Sequence, residues 1–215
     1  MELVEGNQPR LRGRQAQAAH NDEVILQAAR EVFLAEPGAP ISAVAERAGV
    51  GIGALYHRYD GKEHLLRTLC RNGQLIYLAE VKRALGAGGD PGAAYTEFLR
   101  RIVAANTHGL TVRLAGTFTP SAEQLALAEE MRALGTELFE RARGTGKLRA
   151  DTTYLEVEFL LEFLAQIKLG DAERTAELRQ RHLTIIIDGL LTPQPEPLPG
   201  QPPTWPEQTE RWTTH

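Results

Sequence analysis

An all-α fold of about nine helices is the architecture this sequence predicts, and three observations carry that expectation. Apolar residues recur every three to four positions through most of the chain. No segment alternates apolar and polar residues as a half-buried strand does. Glycine, proline and capping residues fall where the apolar stripes end. The 215 residues, 42% of them apolar, suffice to bury a sizeable core.

The first twenty residues lack this periodicity and carry Arg10, Arg12 and Arg14, so 1–20 reads as a flexible basic arm. Asn21 or Asp22 can cap a first helix whose Val24, Ile25, Ala28, Ala29, Val32 and Phe33 form one stripe, and Pro37-Gly38 ends it. A short second helix, about Ser42 to Ala48, buries Val44, Ala45 and Ala48, with Gly49 in the place of a C-terminal glycine. The third, about Ile52 to Tyr59, sets Ile52, Leu55, Tyr56 and Tyr59 at i, i+3, i+4 and i+7 before Asp60-Gly61 breaks the chain. A long fourth, about Lys62 to Leu85, carries Leu66, Leu69, Ile76, Tyr77 and Val81 along one side.

Asp90-Pro91 is an N-cap followed by proline at the first helical position, and it opens a helix holding Phe98, Ile102 and Val103. Residues 108–119 are less regular. Thr119-Pro120-Ser121 starts a helix through Leu127, Met131, Leu134 and Leu138, which Gly144-Thr145-Gly146 terminates. Thr153 with Glu156 makes a capping box for a helix to about Lys168, and Gly170-Asp171 separates it from a last one reaching Leu191. Beyond Thr192, seven of the twelve prolines crowd one run, so 193–215 reads as a Pro-rich disordered tail.

Composition narrows the function classes. A formal net charge of -4, from 24 Lys and Arg against 28 Asp and Glu, exerts no global pull toward nucleic acid, so any anion-binding surface must be local. The single Cys70 permits no intrachain disulfide and no paired thiols for zinc, which suits a reducing compartment. With no run of about 18 to 20 apolar residues, a cytoplasmic location without membrane contact is expected. The six histidines form no H-x-x-x-H pair, and Glu129-Glu130 and Glu156 with Glu158 read as solvated helix faces. No metal, cofactor or catalytic constellation is expected.

One motif invites a different reading. Gly49 to Ala54, GVGIGA, fits the G-x-G-x-x-[GA] fingerprint that binds pyrophosphate, but that loop follows a strand, and the preceding ISAVAERAG has helical spacing. A helix, a glycine-containing turn and a second short helix instead form a helix-turn-helix. The segments ILQAAREVFLAEPG and AVAERAGVGIGALYHRYDGKEHLL then resemble the TetR-type (TetR/AcrR) regulators at Ala45, Ala48, Gly49, Val50, Gly53, Ala54, Leu55, Tyr56, Lys62 and Leu65. Gly51 departs from the usual Ser or Thr, Ile52 from a polar residue, Arg58 from His and Tyr59 from Phe.

The resemblance implies a DNA-binding domain over 21–66 and an effector-binding and dimerisation domain over 67–192. It implies backbone contacts from Tyr56, His57, Arg58 and Lys62, base selectivity from Ile52, Gly53, Ala54, His57 and local DNA shape, and places Ser42 and Gly51 among the DNA-binding residues, Gly51 without the hydroxyl that usually touches phosphate. Arg12 and Arg14 are candidates for a further backbone or minor-groove contact. Tyr59 reads as core. An effector pocket between the fourth and eighth helices is expected to draw on Tyr77, Tyr95, Phe98, His108, Arg113, Phe118 and Phe139. A four-helix dimer interface is expected from Leu155, Phe159, Phe163, Ile186, Ile187 and Leu190. GTGKLRADTTYLEVEFLL resembles the stretch before the dimer helices in many members, those with an SbtR-like regulatory domain among them.

The function so implied is a ligand-responsive repressor that binds a pseudo-palindromic operator in double-stranded DNA as a homodimer and is released by a small-molecule effector. Two other readings stay open here. One is a helical small-molecule-binding protein with a vestigial DNA head, suggested by Gly51, Ile52 and seven Lys and Arg against six Asp and Glu between Arg10 and Lys62. The other is a dinucleotide-dependent enzyme.

Overall fold

The computed structural model describes residues 8–114, 116–191 and 196–210. Among them are ten helices and no strand: α1 (Gln8–Ala35), α2 (Ile41–Ala48), α3 (Ile52–Arg58), α4 (Gly61–Gly86), α5 (Pro91–Ala105), α6 (Thr107–Leu114), α7 (Ala122–Arg143), α8 (Tyr154–Gln166), α9 (Ala172–Leu190) and α10 (Trp205–Glu210). The chain forms two compact units that divide between Leu69 and Cys70, within one turn of the boundary expected at residue 66, and α4 contributes to both. No helix among the described residues is long and apolar enough to cross a membrane.

In the first unit, Ile25, Ala29, Phe33, Val44, Leu55 and Leu65 are almost wholly buried, and they are the periodic residues of four successive helices. α2 ends because Gly49 takes φ 67, a left-handed turn closed to most side chains; its N–H reaches Glu46 O at 3.1 Å while Val50 N reaches Ala45 O at 3.0 Å. An ion pair from Arg47 to Glu31, 2.6 Å from Nε to Oε2, ties α2 to α1 and lowers the Glu31 pKa, with a bond from Gln27 adding to the effect.

One expectation fails here. Asn21 and Asp22 do not cap the first helix, which runs through them from Gln8, so the supposed arm is helical from that residue on. An apolar stripe reports burial, whereas helix extension needs only good helix formers such as the Ala and Gln of 15–19 continuing a packed segment.

The second unit is built around α5, which packs against both α7 and α9, while α6 packs against α8. Asp90 caps α5 by accepting from Gly92 N, with Pro91 at the first helical position, and capping boxes at Ser121 with Gln124 and Thr153 with Glu156 start α7 and α8 as their spacing predicts. Tyr77, Val81, Phe98, Leu99, Ile102, Phe139 and Leu161 form the centre of the core. α7 passes so close to Tyr154 that a Cβ on Gly135 would lie 2.5 Å from its hydroxyl oxygen, which requires glycine there.

Two more segments depart from expectation. Residues Thr107–Leu114 are helical, because Asn106 turns the chain between α5 and α6 at φ 49 without the glycine or proline that marks such corners. The Pro-rich segment, where described at 196–210, packs on the second unit. Leu198 N donates to Asp151 Oδ2 at 2.9 Å, Arg149 Nη2 donates to the Glu196 carbonyl at 2.8 Å, and Trp205 lies 6.1 Å from the Tyr154 ring and 5.3 Å from the Arg132 guanidinium. Prolines deny this segment a ladder of its own, but side-chain anchors replace one. The parts of both end segments before Gln8, at 192–195 and beyond Glu210 lie outside the described residues.

Candidate functional site

The α2–turn–α3 element separates its residues by face. Leu55 is fully buried and Tyr59 nearly so, fixing α3 to its unit, and burial raises the Tyr59 phenol pKa. Gly51, Ile52, Gly53, Ala54, Tyr56 and His57 are all exposed, with Ile52 at 43% and Tyr56 at 55%. A Cβ added at Gly51 or Gly53 would meet nothing within 4 Å. Packing inside the unit therefore requires neither glycine; Gly51 is the N-cap of α3, where glycine is well tolerated, whereas Gly53 lies inside the helix, where it costs about 0.5–1 kcal/mol relative to alanine.

Ser42 is exposed in the first turn of α2, whose N-cap is Pro40. Two basic residues that the resemblance directs at phosphates have internal work. Arg58 is ion-paired to Asp22 on α1, its Nη2 donating to Oδ2 at 3.1 Å. Lys62 Nζ donates to the Pro37 carbonyl at 3.0 Å and lies 5.2 Å from the centre of the Phe33 ring. An ammonium has three donors, so that single bond leaves Lys62 further capacity. Arg12 and Arg14 belong to α1, and their side chains lie outside the described residues. Asp22 and His64, which accepts from Asp60 N at 3.0 Å, are partners that no sequence motif singled out.

In the second unit, the expected effector residues Tyr77, Tyr95, Phe98, His108 and Phe139 do come together. Tyr77 meets Phe98 edge-on at 5.3 Å and His108 at 6.2 Å, while Tyr95 meets Phe139 at 5.7 Å. Arg113 is exposed, and half-buried Phe118 is not packed on this core. A polar chain runs through the cluster. The Tyr77 and Tyr154 hydroxyls lie 2.9 Å apart, Tyr77 donates to Glu158 Oε1 at 3.3 Å, and His108 Nε2 is 3.2 Å from Glu158 Oε2. Thr107 Oγ1 lies 3.3 Å from His108 Nδ1. Burial, reinforced by the Glu158 charge, raises the pKa of Tyr77, Tyr95 and Tyr154 well above the ordinary tyrosine range.

One reading needs correction. Glu158 is not on a solvated face, because α8 is apolar nearly all round and its carboxylate turns inward to a tyrosine and a histidine. The centre between α4 and α8 is filled by its own side chains, and the cavity beside it, lined by Ile102, Asn106, His108, Leu161 and Arg179, measures about 10 Å³. Sequence shows which residues point inward but not whether their volumes leave a void. Of the expected dimer residues, Leu155 and Ile187 are buried in the chain's own core, Phe159, Phe163 and Ile186 border an open apolar groove of about 650 Å³, and Leu190, itself buried, also lines that groove. The i, i+4 pair Phe159 and Phe163 lies on the outer side of α8, with Phe163 65% exposed.

Comparison with known proteins adds two family models. Residues 25–69 match "Bacterial regulatory proteins, tetR family" and residues 90–192 match "Transcriptional regulator SbtR-like, C-terminal domain", together more than two thirds of the chain. The fold is similar to that of a TetR transcriptional regulator from Streptomyces coelicolor, with TM-score 0.55, 26% identity and coverage of 80% of this chain and 99% of that one. A TetR transcription regulatory protein from Mycobacterium vanbaalenii gives 0.53, 27%, 83% and 99%. The TetR family regulator PfmR from Thermus thermophilus shares the fold at TM-score 0.60 and 18% identity, over 80% and 97%. No curated protein matches the sequence.

Proposed function

Because the chain belongs to the TetR family of transcriptional regulators, with its helix-turn-helix at α2 and α3, we propose that it is a ligand-responsive repressor. As a homodimer it reads a pseudo-palindromic operator in double-stranded DNA, one α3 per major-groove half-site, and a small-molecule effector releases it. The observation that supports this reading is the thin exposed face of α3, whose Gly51 and Gly53 no internal contact requires. Gly53 and Ala54 let the helix backbone approach base edges, Ile52 offers an apolar contact to a thymine methyl, and Tyr56 and His57 supply donors for phosphates.

Effector binding belongs to the aromatic cluster of the second unit. Because that cluster is closed, the effector binds a conformation in which the Tyr77–Tyr154–Glu158 chain has opened. Its preference for that conformation over the DNA-competent one, typically 1–3 kcal/mol, sets the extent of derepression. Half-sites about 34 Å apart along the duplex make binding sensitive to any change in the spacing of the two α3 helices.

Selection from a random duplex pool tests the reading. The wild-type protein is expected to enrich an inverted repeat, and Tyr56→Ala with His57→Ala is expected to weaken binding to it at least tenfold at matched salt with helicity unchanged. Failure to enrich any inverted repeat favours a vestigial DNA head, a reading to which the internal engagement of Arg58 and Lys62 lends weight.

A further inference from the structure

The groove bordered by Phe159, Phe163 and Ile186 has a second wall that α8 and α9 do not supply. Leu198 and Pro203, from the Pro-rich segment, line its other side. That wall is fastened at both ends. Arg149 and Asp151 hold Glu196 and Leu198 by the backbone bonds described above, and Trp205 packs on Tyr154 and Arg132. Hydrogen bonding from Arg149, and then from Leu198 N, holds the Asp151 carboxyl below the usual carboxylate range. Four prolines between Glu196 and Pro203 also restrict the unfastened chain, which lowers the entropy lost on docking.

What covers the groove is indicated by the charges beside it. On the exposed side of α9, Arg181 stands four residues before Ile185 and Asp188 three residues after it, and Ile185 is 62% exposed. Two α9 helices crossing antiparallel at Ile185 bring each Arg181 over Gly189 and next to Asp188 of the other helix, so opposite charges meet twice by symmetry. Gly189, where an added Cβ would meet nothing within 4 Å, leaves room for the long side chain. A second copy of this chain, so placed, complements the face in sign.

We infer that the segment Glu196–Glu210 is a built-in strap of the homodimer interface: Leu198 and Pro203 wall the apolar groove in which a second copy docks. This rests on the proposed homodimer and adds the strap to it. Sedimentation velocity over a dilution series of the full chain tests it with three variants. Leu198→Asp charges the strap wall, Phe163→Asp charges the α8 side, and Leu125→Asp charges a leucine 60% exposed on α7 as a control.

Leu198→Asp and Phe163→Asp are each expected to raise the dimer dissociation constant at least tenfold with circular dichroism unchanged, and Leu125→Asp to leave it within twofold. If Phe163→Asp dissociates the dimer while Leu198→Asp stays within twofold of wild type, the strap is overturned and the dimer reading stands. If neither variant weakens the dimer, both fall; anilinonaphthalene sulfonate bound by wild type and lost in both would then assign the groove to a small apolar ligand.

Discussion

Gly53 occupies the second position of a seven-residue helix, where the absence of a side chain weakens the helix and no neighbour within the unit requires it. Stability and function therefore separate at this residue. Gly53→Ala is expected to stabilise the protein by about 0.5–1 kcal/mol, because the new methyl meets only open space, and to weaken operator binding about tenfold by holding the backbone off the groove floor. Thermal unfolding and a fluorescence-anisotropy titration read the two effects independently. Unchanged DNA affinity with raised stability would remove the thin face from the recognition surface. The glycine pattern was visible in the sequence, but the internal engagement of Arg58 and Lys62 was not. Nothing in YHRYDGK shows that Asp22, thirty-six positions upstream of Arg58, sits within its reach.

At the scale of elements, α4, α6 and α8 are joined through the polar chain of Tyr77, His108, Tyr154 and Glu158, and pH tests how dry that junction is. A free tyrosine ionises near pH 10. Tyr77, Tyr95 and Tyr154 have raised pKa values in the folded protein, so their contribution to stability is complete below about pH 10 and is lost as pH rises toward the folded values, because the unfolded chain releases those protons first. Phenolate absorbance of these three is accordingly expected to appear only with the loss of helical circular dichroism, and Tyr77→Phe to lower stability by about 1–2 kcal/mol by removing the buried bonds of its hydroxyl to Tyr154 and Glu158. Phenolate formation by all five tyrosines well before unfolding would show a wet junction. Elements with caps and breakers at both ends, such as α7 and α8, were legible from sequence, as was the start of α5. The corner at Asn106, the extension of α1 to Gln8 and the docking of Trp205 were not, since each depends on tertiary partners rather than on a local signal.

For the whole molecule, a chain of net charge -4 must bind a polyanion with few cations to spare. Of the seven basic residues between Arg10 and Lys62, Arg47 is paired with Glu31, Arg58 with Asp22, Lys62 donates to Pro37 O, and Arg30 is also engaged within the protein. If those pairs persist on DNA, the electrostatic part of affinity falls mainly to Lys62 and to Arg10, Arg12 and Arg14, whose positions on α1 make that helix, rather than a loose arm, the carrier of the charge. Counterion release makes this measurable: log affinity falls against log salt with a slope of about -0.9 per neutralised phosphate. Replacing Arg10, Arg12 and Arg14 together by Gln is expected to flatten that slope by about 3 to 5 for a dimer, as about half or more of the six side chains touch phosphate. Replacing Arg58 by Gln is expected to leave the slope almost unchanged while lowering thermal stability through loss of its bond to Asp22. A steep slope that survives the triple replacement would place the phosphate contacts on residues now paired within the protein, and would mean that Arg47 and Arg58 exchange their carboxylate partners for DNA on binding.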